Sequence, residues 1–82
     1  MSKLSKLVAA FLAAPVHVSF ADVERLMRAF GFKLDRTTGS HHVFRHDDGR
    51  KLTVPTVGGR RVKSVYVRQV VDLLDLEKWH DD

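Results

Sequence analysis

Apolar residues follow two different periods along this chain. In "SFADVERLMRAFGF", Val23, Leu26, Met27 and Phe30 recur at i, i+3, i+4 and i+7, which predicts one apolar helix face. Ser19 is placed to cap that helix, with Asp22 three residues on as a variant capping box. Gly31 suits the left-handed position just past the helix end, and Phe32 is set for the apolar contact that follows such a cap. Upstream, Leu4, Leu7, Val8, Phe11 and Leu12 also keep a helical spacing, over residues 3–14, until Pro15 stops it. Downstream, Val67, Val70, Val71 and Leu74 give a third helical face, with Ser64 as its expected cap.

Between the second and third helices the period is two. Phe32 and Leu34 alternate with Lys33 and Asp35, and "TTGS" is read as the turn that closes this strand, with the Ser40 hydroxyl expected to cap it. Further strands are expected from about His41 to His46 and from about Arg50 to Val54. "VPTVGGRR" reads as a loop, glycine-rich but without the spacing of a phosphate-binding motif.

"HDDGRK" admits two hairpin registers. A two-residue Asp48-Gly49 turn would pair Phe44 with Thr53 and send Leu52 and Val54 to the face opposite Phe44. A three-residue loop, with Gly49 left-handed, pairs Phe44 with Leu52 and His42 with Val54. Only the second puts Phe44, Leu52 and Val54 on one core face, and burial dictates register. Strand alternation then divides the adjacent histidines. His42 shares the helix-covered face with Phe44, whereas His41 shares the open face with Val43 and Arg45.

With 82 residues the chain is one small domain with a thin core. It has no cysteine, so disulfides and thiolate zinc sites are excluded. The longest apolar run, "LVAAFLAA", is far shorter than the roughly 18–20 residues that span a bilayer. Lys3 and Lys6 ahead of it give a faint likeness to a secretory signal, but its helical period favours an amphipathic helix. No membrane partner is expected, and a cytoplasmic location is.

Charge adds more. The net is +4, yet residues 33–68 hold nine Lys or Arg against three Asp, a surplus of +6 that leaves −2 for the flanks. A basic middle on so small a body is the footprint of a polyanion partner, and the chain closes with an acidic tail over residues 76–82. On the residues alone, Arg36, Ser40, Arg45, Arg60, Arg61 and Lys63 are candidate contacts to a nucleic-acid polyanion, and binding is favoured over catalysis. A metal site is disfavoured. His42 and His46 point the same way but stand about 13 Å apart along a strand, and no carboxylate lies at a ligand spacing.

"GFKLDRTTGSHHVFRHDDGRKLTVP" followed by "VKSVYVRQVVDLL" resembles the HicA-type toxins of HicAB toxin–antitoxin modules, over roughly Phe20 to Leu74. The most specific part is Gly39-Ser40-His41 opening a strand, with Asp-Gly-Arg and Val-Pro following in order. The resemblance implies an α+β, double-stranded-RNA-binding-like α-β-β-β-α core over 20–75, with a three-stranded antiparallel sheet and two helices on one face. The helix before it would be an addition. It further implies a metal-independent ribonuclease that cleaves mRNA, needs no cofactor and is restrained by a HicB-like antitoxin. The family's catalytic histidine corresponds to His41. The chain departs from the family pattern at Asp47, where proline is common, and at Thr56 and Val57, where a basic residue or histidine is common. Two alternatives stand beside this reading: a non-catalytic RNA-binding module of the same fold, and a homo-oligomer built by the extra helix.

Overall fold

The computed structural model describes residues 2–13 and 16–80. Its order is α1 (Lys3–Leu12), β1 (His17–Ser19), α2 (Phe20–Ala29), β2 (Phe32–Thr38), β3 (His41–His46), β4 (Lys51–Pro55), β5 (Arg61–Lys63) and α3 (Ser64–Leu73), followed by a 3-10 turn at Leu76–Lys78. Strands β2, β3 and β4 form one antiparallel sheet in that order, and β1 pairs with β5 in a separate ribbon. Helices α2 and α3 cover one face of the three-stranded sheet, so the expected α-β-β-β-α core with an added N-terminal helix is what the chain adopts.

Local chemistry explains the boundaries. The Ser19 hydroxyl accepts the Asp22 N–H at 3.2 Å, capping α2 as the sequence predicts. Such a cap contributes about 1 kcal/mol relative to alanine. Gly31 ends the same helix with φ +89°, in the left-handed region. At α3 the expectation fails: Ser64 is the first helical residue, and Lys63 takes the cap position without a side-chain hydrogen bond. The "SVYV" start offers Ser64 its helical backbone because β5 runs straight into the helix. The predicted stop of α1 at Pro15 lies outside the described residues; the last described turn ends at Ala13.

The hairpin between β3 and β4 has the three-residue register. Phe44 pairs with Leu52 and His42 with Val54. Its loop closes with Gly49 N–H on the His46 carbonyl at 3.0 Å and His46 N–H on the Arg50 carbonyl at 2.9 Å. Gly49 sits at φ +97°, a conformation in which a side chain would be strained.

Two elements depart from the sequence expectation in this region. Strand β2 runs on to Thr38, so only Gly39 and Ser40 form the turn into β3. It also bulges between Leu34 and Arg36, where Asp35 is the extra residue. The stretch read as a loop, 54–61, starts inside β4 and ends on Arg61, the first residue of β5, a strand that the sequence pattern does not predict; β5 pairs Val62 with Val18 and buries Val62 completely.

The core joins all layers. Val23, Leu26 and Met27 of α2, Phe44 and Val54 of the sheet, and Val67, Val70 and Val71 of α3 are 3% exposed or less. Each such side chain contributes about 1.5–3 kcal/mol by burial. Helix α1 belongs to this core rather than standing apart, because Val8 and Phe11 are buried against it. Leu76, in the stretch read as an acidic tail, is also fully buried. Asp81 and Asp82 lie outside the described residues.

Candidate functional site

His41 opens β3 directly after the Gly39-Ser40 turn, paired with Thr38 on one side and Pro55 on the other. Gly39 has φ +58° and Ser40 is not in the positive region, the pattern of a type II′ hairpin. The turn is tied to the next loop: the Ser40 carbonyl accepts the Thr56 N–H at 2.9 Å, with the Thr56 hydroxyl at a longer 3.4 Å. The hydrogen bonds that hold Ser40 therefore run through its carbonyl, not through the hydroxyl that the sequence suggests. The His41 imidazole is exposed on the open face.

His42 points the other way and is half-buried. Its ring lies 4.1 Å from that of Phe20, between centroids, so the first residue of α2 covers it. Nδ1 is 3.2 Å from the Thr37 hydroxyl and Nε2 is 3.3 Å from the Thr56 hydroxyl. Since Thr56 Oγ1 donates onward to the Ser40 carbonyl, it accepts from Nε2–H, and the Thr37 hydroxyl donates to Nδ1. Both ring nitrogens are satisfied. His42 therefore braces the turn that carries His41.

The open face is built in cross-strand rows. Nearest the turn is Thr38–His41–Pro55, then Arg36–Val43–Thr53, then Lys33–Arg45–Lys51. Arg36 reaches this face only because of the bulge at Asp35. Strict alternation from Leu34 would have turned it toward the helices. Arg45 is paired with Asp35 at 3.1 Å, while Lys33, Arg36 and Lys51 have no carboxylate partner among the described residues. Sequence reasoning missed Lys33 and Lys51, although the three-residue register already implies that Lys51 stands opposite Arg45.

Arg60, Arg61 and Lys63 form a second group on the β1–β5 ribbon and its loop, not on the three-stranded sheet. Arg61 and Lys63 are exposed on either side of buried Val62. The two groups are nevertheless coupled through backbone. Val57 and Arg61 exchange hydrogen bonds at 2.7 and 3.1 Å, and Thr56, next to Val57, holds Ser40. The loop cations are thus anchored to the His41 end of the sheet.

At the far end of the hairpin the charges serve structure. Asp48 accepts the Arg50 N–H at 3.0 Å and the Arg50 Nε–H at 2.7 Å. The backbone hydrogen bond from Arg50 is the main cause that holds the Asp48 carboxyl below its ordinary range, with the Arg50 side chain adding to it. Arg50 also lies 5.1 Å from the Phe32 ring centroid and donates to the Leu73 carbonyl at 3.4 Å. It clips the hairpin to α3.

Among the described residues, no three His, Asp or Glu side chains gather as a metal-ligand set, and no helix is long and apolar enough to cross a membrane. No curated protein and no solved structure matches the chain. A protein-family model described as the HicA toxin of bacterial toxin–antitoxin systems matches residues 20–76, which leaves α1 and β1 outside it and takes in the whole sheet, the His41 turn and α3. That match spans well over half of the 82 residues, and the chain belongs to the HicA toxin family.

Proposed function

We propose that this protein is an endoribonuclease toxin that cleaves mRNA without a metal, using His41 as its catalytic residue. The observation that carries the reading is the exposed imidazole at the end of a sheet face that also presents Lys33, Arg36 and Lys51, which have no carboxylate partner among the described residues. RNA brings its own nucleophile. Attack of the 2′-oxygen on the adjacent phosphorus forms the O2′–P bond and breaks P–O5′, leaving a 2′,3′-cyclic phosphate and a free 5′-hydroxyl. An imidazole can take the 2′-hydroxyl proton or protonate the departing O5′, and such a group contributes about 10²–10⁴-fold. With one histidine for two proton transfers, water supplies the other, and turnover is slow. Arg36 on the same face, and Arg60, Arg61 and Lys63 on the adjoining ribbon, stabilise the extra negative charge of the phosphorane, and Arg45, farther along β3, helps to hold the strand.

Membership of a toxin–antitoxin family implies a cognate antitoxin. An inhibitor that covers His41 meets a cationic surface, so its contacting segment is acidic. A cytoplasmic setting, where mRNA and a HicB-like antitoxin both occur, fits this role. The second reading, an RNA-binding module without catalysis, rests on the same cations and lacks a use for His41.

The test is cleavage of a defined mRNA, in the presence of chelator, by the wild type and by His41→Ala. Cyclic phosphate ends from the wild type, and a loss of about 10²–10⁴-fold in the variant at unchanged melting temperature, are expected. Activity that disappears with chelator and returns with a divalent ion would overturn the metal-free mechanism. Full activity in His41→Ala would remove this histidine from the chemistry.

A further inference from the structure

The row Lys33–Arg45–Lys51 crosses all three strands of the sheet on the face that holds His41. Like charges directly opposite one another in neighbouring strands repel. Here three cations stand side by side, all exposed, with Asp35, on Arg45, as the one carboxylate paired with them among the described residues. At a strand spacing of 4.7–4.9 Å the row is about 10 Å wide, and it stands about 13 Å along β3 from His41. Lysines on edge strands also discourage edge-to-edge association, which would account for Lys33 on β2 and Lys51 on β4. It accounts neither for Arg45 between them on the central strand nor for Arg36 brought onto the face by a bulge.

We infer that this row is a phosphate subsite that grips single-stranded RNA a few nucleotides away from the phosphate cut at His41. The inference rests on the ribonuclease reading above. Cleavage through the 2′-hydroxyl needs O2′, phosphorus and O5′ in line, and a regular duplex holds them out of line, so the strand at His41 is unpaired. A strand lying along β3 from His41 reaches the row after at most about four nucleotides, since phosphates advance about 3.4 Å each along a helical strand and further when extended. The remaining residues of the face are Thr38, Val43, Thr53 and Pro55, without an aromatic ring. Proteins that hold single strands through their bases use aromatic platforms. This face reads phosphates, and its grip is indifferent to sequence.

The experiment measures binding of labelled 2′-O-methyl oligouridylates, which cannot be cleaved, at lengths of two, four, six and eight nucleotides. For the wild type, affinity should rise on the order of tenfold from two nucleotides to six at low salt and then flatten. In Lys33→Gln/Lys51→Gln that gain with length should disappear, and the slope of log affinity against log salt should fall by about 1.4, about 0.7 for each phosphate that is no longer neutralised. Arg45→Gln alone, with a melting curve for each variant, guards against a misfolded double variant. Oligoadenylates should behave like oligouridylates. A length gain that survives in both variants overturns the subsite and leaves the ribonuclease reading intact. So does aggregation of the double variant with its RNA gain retained, which marks the lysines as edge protection, or a drop in antitoxin affinity alone, which marks the row as a protein-binding face. A wild type that binds none of these strands overturns the RNA reading itself.

Discussion

The arginines of the helix layer and the cations of the sheet and loop live in different electrostatic settings. Arg25 and Arg28 on α2 are paired with Asp22 at 3.2 Å and Glu24 at 2.9 Å, and Arg68 on α3 with Asp72 at 3.2 Å. Lys33, Arg36 and Lys51 on the sheet, and Arg60, Arg61 and Lys63 on the loop and ribbon, have no such partner among the described residues. Exposed ion pairs of this kind add about 0–1 kcal/mol each to stability. Their larger consequence is to offset the positive charge of α2 and α3, each pair leaving no net charge there. A net charge of +4 spread evenly would attract polyanions to every surface, whereas this distribution aims the attraction at the surface that carries His41. The basic middle seen in the sequence is accordingly smaller than its count suggests, since Arg45, Arg50 and Arg68 are engaged by Asp35, Asp48 and Asp72.

The two adjacent histidines divide along the same line, and they offer the strongest test of it. His42→Ala removes the ring stacked on Phe20 and leaves the hydroxyls of Thr37 and Thr56 without their partner. A loss of about 1–3 kcal/mol in unfolding free energy is expected, read from urea denaturation at constant m-value. His41→Ala should change stability by less than about 0.5 kcal/mol, as an exposed substitution does. A His42 variant as stable as the wild type would mean that the brace between the turn and the Thr56 loop carries no energy.

The contrast between paired and unpaired cations is probed directly by charge reversal. Arg60→Glu/Arg61→Glu should lower affinity for all single-stranded RNAs on the order of tenfold or more at low salt, and should flatten the salt dependence. Arg25→Glu/Arg28→Glu makes the same change in net charge on the helix side. It should move RNA affinity far less, while costing a few tenths of a kcal/mol for each new like-charge contact with Asp22 or Glu24. Filter binding at two salt concentrations distinguishes the pairs. Equal losses in both would show that RNA senses only the total charge, and the zoning would have no functional meaning.

Sequence patterns make the site legible where burial enforces a choice. Phe44, Leu52 and Val54 must share a face, so the length of the Asp47-Asp48-Gly49 loop can be settled, and with it the opposite orientations of His41 and His42. The Ser19 cap and the Gly31 terminus are readable because each depends on a single residue's chemistry. Beyond Leu34, strand β2 has no apolar residue, so alternation carries no signal and the bulge at Asp35 leaves no trace. The β1–β5 ribbon is made of two three-residue strands far apart in sequence, too short for periodicity to register. Ser64 falls one position inside its helix, not at the cap, because the end of β5 has no signature of its own. The charges of Arg36, Arg60 and Arg61 are therefore plain in the sequence, but their grouping into a sheet set and a ribbon set is not.

The smallest expected effect isolates what the cationic row does to the fold itself. Lys51 stands directly opposite Arg45, so Lys51→Glu exchanges a like-charge neighbour for an opposite one across the strands. Stability should rise by about 0.2–1 kcal/mol, the range for cross-strand pairs. Both residues are exposed, so the gain should shrink as salt is raised, with screening lengths of about 10 Å at 0.1 M. Melting temperature measured at roughly 20 mM and 500 mM salt reads the difference. The same substitution should weaken single-stranded RNA binding, so stability and affinity would move in opposite directions in one variant. That opposition is the signature of a surface whose charges are arranged for a polyanion and against the sheet's own preference. If Lys51→Glu leaves stability unchanged at low salt, the row is spaced widely enough for solvent to screen it, and repulsion between its members gives no argument for a bound phosphate.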